Sequence, residues 1–98
     1  MPMPTHTTIP RPTEPFEDLE SMLETRRAQL DAIDDELVVL IARRVAASRE
    51  IQSLRVAHGG PRIQHGRERV VLGRYRDGLG PAGGKLALAI LELCRGRA

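Results

Sequence analysis

Between Glu17 and Val56 the chain contains neither proline nor glycine, and its apolar residues recur at helical spacing throughout. Counted from Leu23, one heptad position returns at Leu30, Leu37, Arg44 and Ile51, and its companion at Arg26, Ile33, Leu40, Ala47 and Leu54. Such a pattern predicts one long helix with an apolar stripe. At a rise of about 1.5 Å per residue it would extend roughly 50 to 60 Å, longer than a compact domain of this size is wide. A second chain, or a long partner segment, must therefore lie along it.

The rest of the chain divides at its glycines. Ala57-His58-Gly59-Gly60-Pro61 ends the long helix, since glycine supplies left-handed backbone and Pro61 cannot continue it. A shorter helix is expected from near His65 to Asp77-Gly78, with Val71, Leu72 and Tyr75 on its core face. Gly78 to Gly84 reads as the next break. A last helix, about Lys85 to Arg95, centres on LALAILELC, which is apolar all round except at Glu92 and so should be buried on more than one face. Residues 1–15, with five prolines and little periodicity, read as a disordered tail preceding a helical domain at 16–98. The expectation is an all-α fold of one long, one short and one medium helix, intertwined in a homodimer.

Composition narrows the chemistry. Aromatic residues make up 2% of the chain, with no Trp, so the core must be Leu, Ile, Val and Ala. Of fifteen basic residues only Lys85 is a lysine. Arginine suits bidentate contact with carboxylate or phosphate, although a GC-rich coding sequence also favours it. Cys94 is the single cysteine, expected as a small buried hydrophobe rather than a catalytic thiol, and no intrachain disulfide is possible. His6 in the tail, and His58 and His65 around the first break, are read as solvated or loop residues. No apolar run approaches the ~20 residues of a membrane span, and no secretory signal is visible, which predicts a cytoplasmic protein.

One position breaks the stripe. Arg44 stands where Leu is expected, between Leu37 and Ile51, and no acid lies suitably within a turn of it. A buried guanidinium requires an anion. Three readings stand: an acid from another helix, a side chain snorkelling out of a poorly covered stretch, or an anionic ligand. Arg55 is eleven residues on, about three turns, and so shares its face; the two Cα atoms would be about 16 Å apart, within converging reach of a small ligand. Arg27 lies roughly 100° round the helix and about 25 Å away, unable to serve the same site in one chain but able to enter a partner's. Arg67 and Glu68 open the second helix. An acid there complements the helix dipole, and could equally accept a hydrogen bond from a ligand hydroxyl.

The run ARR at 42–44, Arg55, GGPRIQHGRE at 59–68 and LELCRGR at 91–97 resemble, in order and spacing, the all-helical chorismate mutases, most closely the compact actinobacterial type. The resemblance covers about Leu23 to Arg97. It implies a homodimer with shared active sites that isomerises chorismate to prephenate without a cofactor or metal, on the shikimate route to aromatic amino acids. By position, Arg27 (or, in a less favoured register, Arg26) matches the arginine lent by the other subunit. Arg44 matches the holder of a substrate carboxylate, Arg55 the cation facing the ether oxygen, Arg67 a further arginine near the loop, and Glu68 the acid binding the ring hydroxyl. Gln64 stands where many relatives carry an acid for that same hydroxyl. On the last helix, where some relatives use a polar residue, often Gln, Glu92 is the one acidic or amide residue. Some compact relatives are activated by the first enzyme of the shikimate pathway, and the terminal RGRA is a candidate contact for such a partner.

The chemistry suits these residues. The reaction needs no nucleophile, proton transfer or metal; it needs a folded conformer and a cation for the charge growing on the ether oxygen. Two readings compete on the same fold, a 4-amino-4-deoxychorismate mutase, which Gln64 near the C4 substituent would suit, and an isochorismate pyruvate lyase. A third, of another class, is an Arg-rich coiled-coil or nucleic-acid-binding dimer. Against it, the arginines sit partly within the apolar stripe and aromatic platforms for bases are missing; neither nucleic acid nor membrane is an expected partner.

Overall fold

The computed structural model describes residues 15–96, which form three helices and, among those residues, no strand: α1 (Pro15–Ala57), α2 (His65–Leu79) and α3 (Pro81–Cys94). The expected tail lies outside the described residues except for Pro15, which begins α1; His6 and the last two residues of RGRA lie outside them too. The chain divides into two units, residues 1–37 and 38–98.

In the first unit the described residues belong to the first part of α1, and most of its large apolar side chains stand open: Met22, Leu30, Ile33 and Leu37 are each about half exposed or more. The same holds for the rest of α1 in the second unit, where Leu40, Ile51 and Leu54 remain exposed. No described residue of α1 is buried. Averaged over its length the helix is only weakly amphipathic, because Arg26 and Arg44 interrupt the stripe while Val38, Val39 and Val56 lie off it. The stripe predicted from sequence is present, and one chain does not cover it.

The end of α1 is a glycine stop. Gly59 adopts φ 83°, its N–H donates to Val56 O at 3.0 Å, and the Gly60 N–H donates to Arg55 O at 2.7 Å. These two bonds close the last carbonyls of the helix in the pattern that a left-handed residue permits.

The expected break from Gly78 to Gly84 is shorter than its glycines suggested. Only Gly80 leaves the helical path, at φ 85°, and α3 starts at Pro81 rather than near Lys85. Pro81 is a good first helical residue, because its missing N–H has no intrahelical acceptor to meet. Gly83 and Gly84 serve packing instead of turning. A Cβ on Gly83 would lie 2.3 Å from Tyr75 O, so the first turn of α3 runs directly against the α2 backbone. From there α3 runs back antiparallel to α2, Gly83 lying beside Tyr75 at one end and Arg95 beside Glu68 at the other. Between these ends Val71, Ala87 and Leu91 form the core, with Leu72 and Tyr75 packed on it. The core face expected for the second helix is the observed one. On α3, Ala87, Ile90, Leu91 and Cys94 are buried, whereas Leu86, Leu88 and Leu93 are exposed, so one chain covers only one face of a helix that is apolar nearly all round.

Candidate active site

Within the second unit, the last turns of α1, the 58–64 loop, the start of α2 and the end of α3 enclose a cavity of about 230 Å³. The α1 side of its wall is a single helical face. Arg44, Ser48, Gln52 and Arg55 recur at intervals of four, four and three residues, with Ala47 and Ile51 between them. Val71, Leu91 and Cys94 supply an apolar surface, and Arg62, Arg67, Glu68 and Arg95 bring further charge. Five guanidiniums and one carboxylate thus line one small cavity.

Five of the six site residues expected from sequence meet here: Arg44, Arg55, Gln64, Arg67 and Glu68. The sixth, Arg27, is exposed on α1 in the first unit and does not line the cavity. Glu92 does not line it either. Its Oε1 accepts a bond from Arg95 Nη1 at 3.0 Å, which links it to the site through that arginine.

Arg44 is half-buried, and its Nη1 lies 3.0 Å from Cys94 Sγ. Among the described residues it forms no ion pair, which removes the reading of a structural pair with an acid from another helix within this chain. Cys94 is buried, as expected, and in addition supports the arginine. Arg55 Nη1 donates to Arg62 O at 3.1 Å, joining the α1 face to the loop. Gln64 is the N-cap residue of α2 but makes no capping bond with its side chain, leaving that amide available to the cavity.

Glu68, in the first turn of α2, is the most engaged of these groups. Its Oε1 accepts from Arg95 Nη2 at 2.6 Å, and His65 Nδ1 stands 3.9 Å away. The hydrogen bond to Glu68 raises the Arg95 pKa above its ordinary value; desolvation opposes this and the charge of Glu68 adds to it.

The lining residues that the sequence reading does not single out include Gln52, Arg62 and Arg95. Gln52 Nε2 donates to Cys94 O at 3.0 Å and to Ser48 Oγ at 3.3 Å, while its Oε1 accepts from Arg62 Nε at 3.2 Å. Arg62 also donates through Nη2 to Arg95 O. Gln52 was visible in principle, since it falls on the Arg44–Arg55 face. Arg62 and Arg95 follow helix ends, and nothing local in the sequence says which way a residue after a helix will turn.

A three-helix domain whose polar cavity is built from arginines, one glutamate and no nucleophile–base pair belongs with proteins that hold and polarise a small anion. The comparisons make this specific: residues 26–93 match the chorismate mutase type II family, and the chain belongs to it. It is 38% identical over 94 residues to the intracellular chorismate mutase of Mycolicibacterium smegmatis, covering 96% of this chain and 89% of the relative. It is 39% identical over 75 residues to that of Mycobacterium tuberculosis, covering 76% and 70%. Among solved structures it resembles the chorismate mutase of Corynebacterium glutamicum, seen in a non-covalent complex with DAHP synthase and a transition state analogue. The TM-score is 0.76 at 30% identity, covering 86% of this chain and 99% of that one. The all-α fold of three helices and the family implied by the sequence motifs are those found.

Proposed function

We propose that this chain converts chorismate to prephenate, with Arg44 holding a substrate carboxylate, Arg55 facing the ether oxygen of the breaking bond, and Glu68 accepting the ring hydroxyl. The observation that carries the reading is the shared cavity of Arg44, Arg55, Arg67 and Glu68, walled elsewhere by apolar side chains. Chorismate carries two carboxylates, which several guanidiniums can grip, and its folded conformer must be kept from relaxing. As the C–O bond lengthens, negative charge gathers on the ether oxygen, and a cation already in place can stabilise it by several kcal/mol. Arg67 and Gln64 flank the ligand at the start of α2. No metal, cofactor or acid–base pair enters the scheme.

The active unit in this proposal is a homodimer. The exposed stripe of α1 supports it, and Arg27 from one chain completes the site of the other. The relatives named intracellular support a cytoplasmic location; among the described residues, no helix is long and apolar enough to cross a membrane. The DAHP synthase bound to the Corynebacterium relative supports a matching partner here, whose addition should raise the turnover of this chain.

Gln64 favours a second substrate, 4-amino-4-deoxychorismate, because a neutral amide can meet either a hydroxyl or an amine at C4. Assaying the purified chain on both substrates tests these readings. Prephenate formation at the higher kcat/KM supports the first; preference for the amino substrate replaces it with the second. Inertness toward both, together with salt-dependent binding to DNA, would return the chain to the nucleic-acid class.

A further inference from the structure

Arg95 is held at almost every polar atom. Its N–H donates to Leu91 O and Glu92 O, and its carbonyl accepts from Arg62 Nη2. Its guanidinium spans two carboxylates, Nη1 to Glu92 Oε1 at 3.0 Å and Nη2 to Glu68 Oε1 at 2.6 Å. The remaining nitrogen, Nε, is buried without a partner. A residue at the loose end of a helix is not normally fixed this firmly, and the end of the chain of contacts is Glu68.

At Glu68 the contacts are one-sided. Arg95 and the more distant His65 both meet Oε1, and Oε2 has no protein partner among the described residues. An ionised carboxylate can accept at both oxygens. One oxygen taken by a fixed guanidinium sets the plane of the group, and the other is left for a ligand in the cavity that Glu68 lines. Glu92 holds the far side of the same guanidinium, and Gln52 holds Arg62, which in turn holds the Arg95 carbonyl. The α1 face, the loop and the end of α3 thus converge on the orientation of one carboxylate.

Resting on the reading that Glu68 accepts the ring hydroxyl of the substrate, we propose that Arg95 is a positioning residue that clamps Glu68 through Oε1 and leaves Oε2 to receive that hydroxyl. It acts through Glu68 and does not touch the reacting atoms. Because the guanidinium fork reaches both carboxylates at once, Lys can replace only part of it.

The test is a double-mutant cycle on the full chain, with Arg95→Ala, Arg95→Lys, Glu68→Gln and the Arg95→Ala/Glu68→Gln double variant. Kinetics on chorismate and urea midpoints are measured for each. Arg95→Ala should lower kcat/KM by about 10- to 100-fold, the range for losing a hydrogen bond to a charged group. Arg95→Lys should recover part of the loss. In the Glu68→Gln background, Arg95→Ala should cost less than about threefold, because the group it positions is already disabled. Should Glu68→Gln be too slow to follow, the same cycle is read from calorimetric binding of prephenate, which keeps the ring hydroxyl. Equal losses in both backgrounds, or losses that track the urea midpoint, would reduce Arg95 to a structural clamp and overturn the proposal. A rise in activity in Arg95→Ala would overturn it too, by showing that Arg95 obstructs Glu68. A wild-type chain active on chorismate with an additive cycle sinks this inference alone; a wild-type chain inactive on chorismate sinks the functional reading and this inference with it.

Discussion

The Arg44 guanidinium rests 3.0 Å from the sulfur of Cys94 and forms no ion pair among the described residues. A thiol is a weak acceptor, so Cys94 places the arginine without neutralising it. In the proposed function that charge serves a substrate carboxylate, and the apolar stripe bears the cost of hosting it. Replacing Arg44 with Leu restores the heptad pattern, and should raise stability by about 0.5–2 kcal/mol while removing activity, as expected where a site is kept at the expense of folding. Urea melts and chorismate kinetics on one preparation decide it. An Arg44→Leu chain that is less stable, or still active, contradicts this account.

The same residue shows what the sequence could disclose. Arg44 was visible as a break in a strong period, and Arg55 as its neighbour three turns on, because α1 is regular enough for arithmetic to place both. The start of α3 was not legible. Gly78, Gly80, Gly83 and Gly84 look alike in sequence, yet only Gly80 takes the left-handed turn, while Gly83 exists for contact with a backbone that sequence does not place. Arg62 and Arg95 escaped for a related reason. Each follows a helix end and turns into the cavity through long-range bonds, Arg62 to Gln52 and the Arg95 carbonyl, Arg95 to Glu68. Periodicity reads positions on a helix well and positions after one poorly.

That distinction among glycines can be measured. Gly83→Ala sets a Cβ against Tyr75 O and Leu79 Cβ, and backbone cannot step aside as a flexible side-chain tip can. It should destabilise the chain by about 1–3 kcal/mol. Gly73, inside α2, has nothing within 4 Å of the place a methyl group would take, so Gly73→Ala should stabilise by about 0.5–1 kcal/mol through reduced freedom of the unfolded chain. Thermal melts of the two variants should move in opposite directions, and a shared direction would refute the contact-based explanation.

The exposed stripe of α1 leads to a prediction about assembly. Leu30, Ile33, Leu37, Leu40, Ile51 and Leu54 are each about half exposed or more, and large exposed apolar surfaces mark sites of association. Light scattering at micromolar concentration should return twice the chain mass. In the same dimer, Arg27→Ala and Arg44→Ala should each be nearly inactive, but mixing and re-equilibrating them should restore part of the activity. The heterodimer would contain one site with both arginines intact. Demonstrated subunit exchange without recovery would place Arg27 outside the partner's site.

Arg55 tests the charge argument most directly. Its Nη1 is anchored to Arg62 O at 3.1 Å, which fixes the guanidinium against the cavity wall before any ligand arrives. Citrulline at this position has nearly the same shape and keeps N–H donors for that anchor, yet carries no charge. It should preserve the fold and most substrate binding. If the cation faces the ether oxygen, the interaction lost is one that develops only in the transition state, so kcat and kcat/KM should fall together, by about 10² to 10⁴. Arg55→Lys should keep more activity than citrulline, since a point charge still meets the oxygen, although the bond to the loop carbonyl weakens. The opposite pattern, an unchanged kcat with a raised KM, would show that Arg55 grips the substrate equally in its ground and transition states. The residue would then be a carboxylate holder, and the charge on the ether oxygen would have to be met by another of the arginines lining the cavity.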